Sequence, residues 1–234
     1  MKVRVEVVAI DCLMVRLFDV IAETNMPWML AASERLRVCF AEYLTDLVPS
    51  YTTLMVHYDG LSLTPAQARE RIAQAMTDLH PHTQSSGQCH VLPVWYDLSV
   101  GPELALLAQR TGGSVSEVIR RHSEHEYQVF ALGFAPGFAF MGLVEEALAA
   151  PRLKTPRKRV TKGSVGIAER QTAAYPAQSP GGWNLIGRTP SALFDRDREG
   201  YSLLQPGDTV QFAAVSHAEF IRLGGDDTPQ ESVA

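Results

Sequence analysis

From Tyr127 onward the chain never sustains a helical period, and this restricts its C-terminal half to a closed β-fold. Short apolar runs follow one another: Tyr127–Leu132, Ser164–Ala168, Ala173–Tyr175, Trp183–Gly187, Leu203–Leu204 and Thr209–Phe212. Glycine or proline punctuates them. Strands this short hide their edges best in a barrel or a closed sandwich. Within this region, Leu132 to Thr189 concentrates glycine, proline, aromatic residues and cations. Glycine permits positive φ and close backbone approach, and proline fixes φ and removes a donor. A chain uses both so densely where backbone shape itself makes a surface. Aromatic walls and a cationic rim then describe a shaped pocket.

The N-terminal part reads differently. Val3–Ala9 and Cys12–Phe18 alternate as two strands around a turn at Ile10–Asp11. Leu30, Leu36, Phe40, Tyr43, Leu44 and Leu47 predict a helix over Met29–Leu47, closed by Pro49. Thr53–Tyr58 reads as a strand. Thr64 caps a helix that starts at Pro65 and runs to about Leu79, and Cys89–Trp95 is a further strand. This β-β-α-β-α-β order predicts a small α/β sandwich over residues 1–95, close to a split βαβ arrangement. Pro102–Gln109 and Ser114–Ser123 read as short helices, the second with a capping box of Ser114 and Glu117. The barrel domain is expected over residues 96–223, with a loose polar tail over 224–234. The fold class is therefore α+β: an α/β sandwich followed by a β-barrel.

Composition removes several function classes. The 234 residues are 46% hydrophobic and 20% charged, enough to build a core. A formal net charge of −5 argues against a nucleic-acid partner. Cys12, Cys39 and Cys89 have no paired spacing, so a reducing, cytoplasmic setting is expected. The opening residues alternate like a strand and not like a signal peptide, and no apolar run reaches membrane-spanning length.

The candidate chemistry gathers in a few places. Arg152, Lys154, Arg157, Lys158, Arg159 and Lys162 crowd one stretch stiffened by Pro151 and Pro156. A solvated loop and an anion-binding rim both fit it; arginine's planar fork suits carboxylate or phosphate. Lys162–Gly163–Ser164 is not a phosphate loop, because the upstream glycine and the following helix are missing. His122, His125 and Glu126 sit at helical spacing, but no third metal ligand is evident, and no metal is expected. His80, His82, Cys89 and His90 fit no zinc spacing. His122 remains a candidate donor or acid–base group. Ser179–Pro180–Gly181–Gly182–Trp183 lacks the nucleophile-elbow pattern and reads as a turn that presents backbone N–H groups beside a flat wall. Gln171, Thr172 and Tyr175 offer neutral hydrogen-bonding groups nearby. Phe134-Ala-Pro-Gly-Phe138 is rigid enough to form a pocket edge, although Phe134, Phe138 and Phe140 also suit a barrel core.

Gly133-Phe-Ala-Pro-Gly-Phe-Ala-Phe-Met-Gly142, Thr155-Pro-Arg157, Gly163-Ser-Val-Gly-Ile-Ala168, Gln171-Thr172, Tyr175-Pro176 and Ser179-Pro-Gly-Gly-Trp183 with Leu185-Ile-Gly-Arg-Thr189 together resemble one family. It is the family of the 5-oxoprolinase B subunit, also labelled allophanate hydrolase subunit 1, which includes a sporulation-kinase inhibitor. The same unit is similar to half of the carboxyltransferase region of urea carboxylase. The resemblance implies a cyclophilin-like barrel behind a small α/β domain. It implies ATP-dependent hydrolysis of 5-oxo-L-proline to L-glutamate, carried out with a homologous-fold C subunit and an A subunit, the chain being inactive alone. ATP is expected in the complex, with no site located in this chain. Inhibition of a sensor histidine kinase and a urea- or allophanate-metabolising carboxyltransferase are the alternatives. The family's pocket motifs fall on His122 and Tyr127, then on Phe134, Pro136, Gly137 and Phe138. They continue through Arg157, Gln171 and Thr172 to Ser179, Pro180, Gly181, Gly182 and Trp183. The resemblance implies catalytic roles for His122 and Arg157 and substrate-binding roles for the rest. The chain departs from the pattern where the family usually carries a glycine pair: Glu169–Arg170 stands there.

Overall fold

A computed structural model describes residues 3–82 and 87–231. The chain divides into two compact units, Met1–Ser86 and Gly87–Ala234.

The first unit is an antiparallel sheet with two helices. Its elements are β1 (Arg4–Ala9), β2 (Cys12–Arg16), α1 (Met26–Phe40), β3 (Leu44–Pro49), β4 (Thr53–Tyr58) and α2 (Pro65–Met76). The strand order is β1-β2-β4-β3. The helix expected to reach Leu47 stops at Phe40, and β3 occupies its last turns. Ala41 turns the chain with φ +47°, and Asp46 opens a bulge opposite β4. The spacing of Tyr43, Leu44 and Leu47 fits either period, and pairing with β4 decides between them. The start of α2 is as expected. Thr64 accepts from the Gln67 amide while Gln67 reaches back to the Thr64 amide. Thr64→Ala is expected to cost about 1 kcal/mol, read as a lower urea midpoint at unchanged slope.

The second unit begins earlier than expected. The sequence pattern places the strand Cys89–Trp95, observed as β5 (Cys89–Val94), in the first domain, with a boundary at residue 95. The strand instead pairs in parallel register along its whole length with β13 (Thr209–Ala214), so the boundary lies between Ser86 and Gly87. Helices α3 (Leu104–Thr111) and α4 (Val115–Glu124) follow. Ser114 caps α4 by accepting from the Glu117 amide. The other half of the expected capping box is not made, because Glu117 directs its carboxylate to Arg120 and Arg121. The barrel strands are β6 (Glu126–Leu132), β7 (Ala139–Gly142), β9 (Ser164–Ala168), β10 (Gln171–Ala174) and β12 (Asn184–Arg188), with the ribbon β8 (Arg157–Val160) and β11 (Ser179–Gly181) outside them. Helix α5 (His217–Arg222) follows β13, a short helix where none is expected beyond Tyr127; Ser216 caps it by accepting from the Glu219 amide, and its six residues are too few to show a sustained period. Leu203–Leu204, expected as a strand, lies outside any strand; Leu203 donates its amide to the Leu193 carbonyl instead.

The sheet runs β12-β9-β10-β7-β6-β13-β5. Its two ends meet where Trp95 and Arg188 exchange both backbone hydrogen bonds at 2.9 Å, which nearly closes the barrel. Alternation along the strands sorts side chains to two faces. Ala139, Met141, Val165, Ile167, Ala174 and Ile186 fill the interior. Phe138, Ala168, Ala173, Tyr175, Trp183 and Leu185 form a separate cluster on the outer face.

The turn between β9 and β10 holds Glu169 at φ +51°, at the place where the sequence resemblance leads to the expectation of glycine. A side chain there costs conformational energy. Glu169 and Ala150 offset it by exchanging amide-to-carbonyl bonds of 2.6 and 3.3 Å.

The tail expected to be loose is tied down as far as Glu231. Gln230 is 8% exposed; it donates to the Arg159 carbonyl and accepts from the Thr161 amide. Its own amide bonds the Ser99 carbonyl. Residues 226–231 thus form a strap, held by polar contacts that a hydropathy reading does not register.

Candidate functional site

The residues expected in one pocket divide between the two faces of the barrel. His122, Tyr127 and Thr172 point inward and are fully buried. His122 lies on the buried face of α4 with Val118. Thr172 donates to the Gly166 carbonyl at 3.2 Å, so it accepts from His122 Nε2 at 2.9 Å. The opposite nitrogen, Nδ1, then accepts from the Tyr96 hydroxyl at 2.7 Å. The ring stacks on Phe212 with centroids 4.7 Å apart, and Tyr127 donates to the His122 carbonyl. Every polar atom of the imidazole is satisfied internally. Burial lowers its pKa to about 3, with the neighbouring His125 charge adding to the effect. Tyr96 and Tyr127 rise above the ordinary phenol range, again mainly by burial. His122, read from sequence as a catalytic acid–base group, is therefore a neutral, sealed core residue.

Arg157 is likewise withdrawn. It is 5% exposed and donates through Nη2 to Glu103 Oε1, through Nε to the Glu231 carbonyl and through Nη1 to the Trp183 carbonyl. Glu103 uses its other oxygen to accept from the Leu185 amide at 2.8 Å. The guanidinium expected to meet substrate is instead the hub that joins α3, β12 and the strap.

The outer face carries the concavity. A cavity of about 90 Å³ is lined by Phe134, Phe138, Phe140, Arg152, Tyr175, Pro180, Gly181, Gly182 and Trp183. Phe138 meets Phe134, Phe140, Tyr175 and Trp183 edge-on, at centroid separations of 4.9–5.7 Å. These edge-to-face contacts hold the box rigid. Ser179–Gly181, expected as a turn, is the short strand β11; the Tyr175 hydroxyl lies against Gly181, where a Cβ would sit 2.3 Å from its oxygen, so the strand needs glycine at that place. Burial pushes the Tyr175 phenol up to about 12, against the opposing pull of the Trp183 amide, Arg152 and Arg157. It stays a neutral hydroxyl at physiological pH. Arg152 is exposed, lies 6.0 Å from the Trp183 ring centroid, and makes no ion pair among the described residues.

Phe134 is the shared wall of two hollows. It is 66% exposed with φ +69°. On its other side a wide, open depression of about 400 Å³ is lined by Leu132–Gly137 and Ser202. Pro136 and Gly137 belong to this depression and not to the aromatic box. Ser179 sits in β11 beside the box without lining it, and Gln171 begins β10 on the outer-facing register. Sequence reasoning places Phe140 with the core and Arg152 only among the cations. The two-residue spacing of Phe138 and Phe140 is the available signal that they share a face. Nothing local marks Arg152 apart from its neighbours. Among the described residues no group of three His, Cys, Asp or Glu side chains converges as metal ligands would, and no helix is long and apolar enough to cross a membrane.

Residues 3–204 match the family described as carboxyltransferase domain, subdomain C and D. The chain is similar to the 5-oxoprolinase B subunit of Bacillus subtilis (strain 168), 36% identical over 75% of this chain and 77% of that protein. It is 35% identical to the 5-oxoprolinase B subunit of Escherichia coli O157:H7, over 86% of this chain and 94% of that one. Among solved structures, TTHA0988 superposes with a TM-score of 0.76 at 36% identity, over 92% of this chain. This chain spans 40% of the length of TTHA0988. The Kluyveromyces lactis urea amidolyase superposes at 0.74 with 16% identity, over 97% of this chain and 16% of that one, a likeness of fold.

Proposed function

The chain belongs to the carboxyltransferase subdomain C and D family, and from that premise we propose that it is the B subunit of an ATP-dependent 5-oxoprolinase. Near-full-length similarity to a 5-oxoprolinase B subunit carries this reading. Such a polypeptide implies a multi-subunit hydrolase, and we propose a homologous-fold C subunit and an A subunit as its partners, with little turnover by this chain alone. That TTHA0988 is much the longer chain fits a polypeptide that in other proteins is continuous with more sequence.

The site proposed to hold the substrate is the aromatic box. Its volume of about 90 Å³ suits a small ring and not a nucleotide. A flat five-membered lactam packs between Phe138, Phe140 and Trp183, and the Arg152 guanidinium at the rim donates to the substrate's carboxylate. Tyr175, held neutral, donates a hydrogen bond without adding charge. A lactam carbonyl is a poor electrophile, and a dry, aromatic enclosure with a cation at its edge strengthens any charge interaction formed there. The nucleotide finds no cradle in Lys162–Gly163–Ser164. The Gly163 amide bonds the Tyr175 carbonyl and the Ser164 amide bonds that of Thr161, so neither N–H is offered to phosphate.

Co-expression with the A and C subunits should give ATP-dependent glutamate release from 5-oxoproline. Arg152→Ala is expected to lower kcat/KM about 10- to 100-fold, mostly through KM, as loss of a hydrogen bond to a charged group does. Absence of glutamate release from the assembled wild-type complex would overturn the functional reading. Normal turnover with an unchanged KM in Arg152→Ala would move the substrate out of the box while leaving the enzyme assignment intact.

A further inference from the structure

The two buried arginines of the barrel's outer layer are served unequally. Arg157 has the Glu103 carboxylate. Arg188 is 1% exposed and gives only Nη1 to protein acceptors, the carbonyls of Asp226 at 2.6 Å and Thr228 at 2.7 Å. Its Nε and Nη2 are buried and without a partner among the described residues. These two nitrogens share one edge of the guanidinium, where their N–H bonds run parallel. That edge matches the two oxygens of a carboxylate.

A second orphan stands on the same face. Ser164 is the antiparallel register partner of Arg188, so both side chains leave the sheet on the same side. The Ser164 hydroxyl is also buried and without a partner among the described residues. Gly163 makes the close approach feasible: with φ +82°, its absent Cβ would lie 2.2 Å from the Thr189 carbonyl oxygen and 3.3 Å from Arg188 Cγ. The nearby carboxylates are committed elsewhere. Asp226 accepts from the Thr228 amide and Asp227 pairs with His217. Burial draws the Arg188 pKa below its ordinary value, while the fields of Asp226 and Asp227 only partly oppose that. A desolvated cation with an empty fork calls for an anion.

We propose that Arg188 and Ser164 form a binding site for a small carboxylate, of the size of formate or acetate, roofed by the strap 226–231. The two carboxylate oxygens accept from Nε and Nη2, and the Ser164 hydroxyl donates to one of them. Entry requires the strap to lift. Of residues 224–231 only Gln230 is buried, and the strap grips through hydrogen bonds and not through apolar packing. Gly224, at φ +85° with open space around its Cβ position, precedes it. A segment with so little apolar burial opens locally far more readily than the barrel unfolds. The site is separate from the aromatic box and does not depend on the function proposed for it.

The test uses the full chain, with sodium formate and sodium acetate titrated against sodium chloride at matched ionic strength. The unfolding temperature is expected to rise with formate as a binding isotherm requires, and not with chloride. Ser164→Ala should weaken the apparent formate affinity about tenfold, and Arg188→Gln should abolish the response. Because Arg188→Gln also removes a buried hub, Gln230→Ala in the full chain, which removes the strap's one buried side-chain anchor and leaves Arg188 its carbonyl acceptors, supplies an independent reading. With the roof loosened, line broadening of ¹³C-formate should show exchange at least about tenfold faster than in the wild type. Equal responses to formate and chloride, an undiminished response in Ser164→Ala, or a crystal grown in formate with water alone along the Arg188 edge would each overturn the proposal.

Discussion

Glu103→Ala is expected to destabilise the barrel by about 3–5 kcal/mol, the usual consequence of removing one partner from a buried ion pair. The side chains of Arg157 and Glu103 are 3% and 11% exposed, so solvent can do little for the charge left behind. One further group loses its partner in the variant. The Leu185 amide gives up its acceptor, and Arg157 is left with only the carbonyls of Trp183 and Glu231. Urea unfolding followed by tryptophan emission reads the loss, since Trp183 and Trp95 both lie in the barrel unit. The cost arises from the unpaired charge and not from any special value of the pair itself. The double variant Glu103→Leu/Arg157→Met should therefore recover most of the stability. A Glu103→Ala stability within about 1 kcal/mol of wild type would mean that the pair behaves as an exposed one.

Acidification should unfold the barrel through His122. Its folded-state pKa of about 3 lies below the unfolded value near 6.5. Between these values the unfolded chain binds a proton that the native imidazole refuses. Stability therefore falls as pH falls, by about 1.4 kcal/mol per unit across that window. Above pH 6.5 the contribution vanishes, and below pH 3 it saturates at about 4–5 kcal/mol. Carboxylates add their own acid dependence, so the informative quantity is the difference between wild type and His122→Gln, which keeps polar atoms in the cavity but does not titrate there. The pH–stability curves should diverge below pH 6.5, with wild type the steeper. Parallel curves would mean that Tyr96, Thr172 and Phe212 do not enclose the ring as described.

Much of the architecture is legible in the sequence because strand and turn signals are local. Thr53–Tyr58, Ser164–Ala168 and the Thr64 cap lie where their spacing puts them. Sequence and structure part where two local readings compete or where the partner is distant. The end of α1 is hidden because Ala41 turns the chain without the glycine that would announce it. Strand β5 reads as part of the wrong unit because nothing in Cys89–Val94 names β13 as its neighbour. The aromatic box is half visible: Phe134, Phe138 and the Ser-Pro-Gly-Gly-Trp segment stand out, whereas Arg152 is one cation among several. His122 and Arg157 mislead for a common reason. Each is polar and lies in a chemistry-rich motif, yet each is closed off by residues 50 and 54 positions away in sequence, Thr172 and Glu103.

Local chemistry is enough to set the class of fold, the punctuated strands, the rigid aromatic turns and the family to which those motifs point. All of these follow from backbone preferences and side-chain periods that act over a few residues. Which polar groups face a cavity, and which are shut inside the barrel, is settled by packing across the whole second unit. Access and protonation depend on the dielectric and the partners around a group, and the barrel gathers those partners from stretches of chain far apart in sequence.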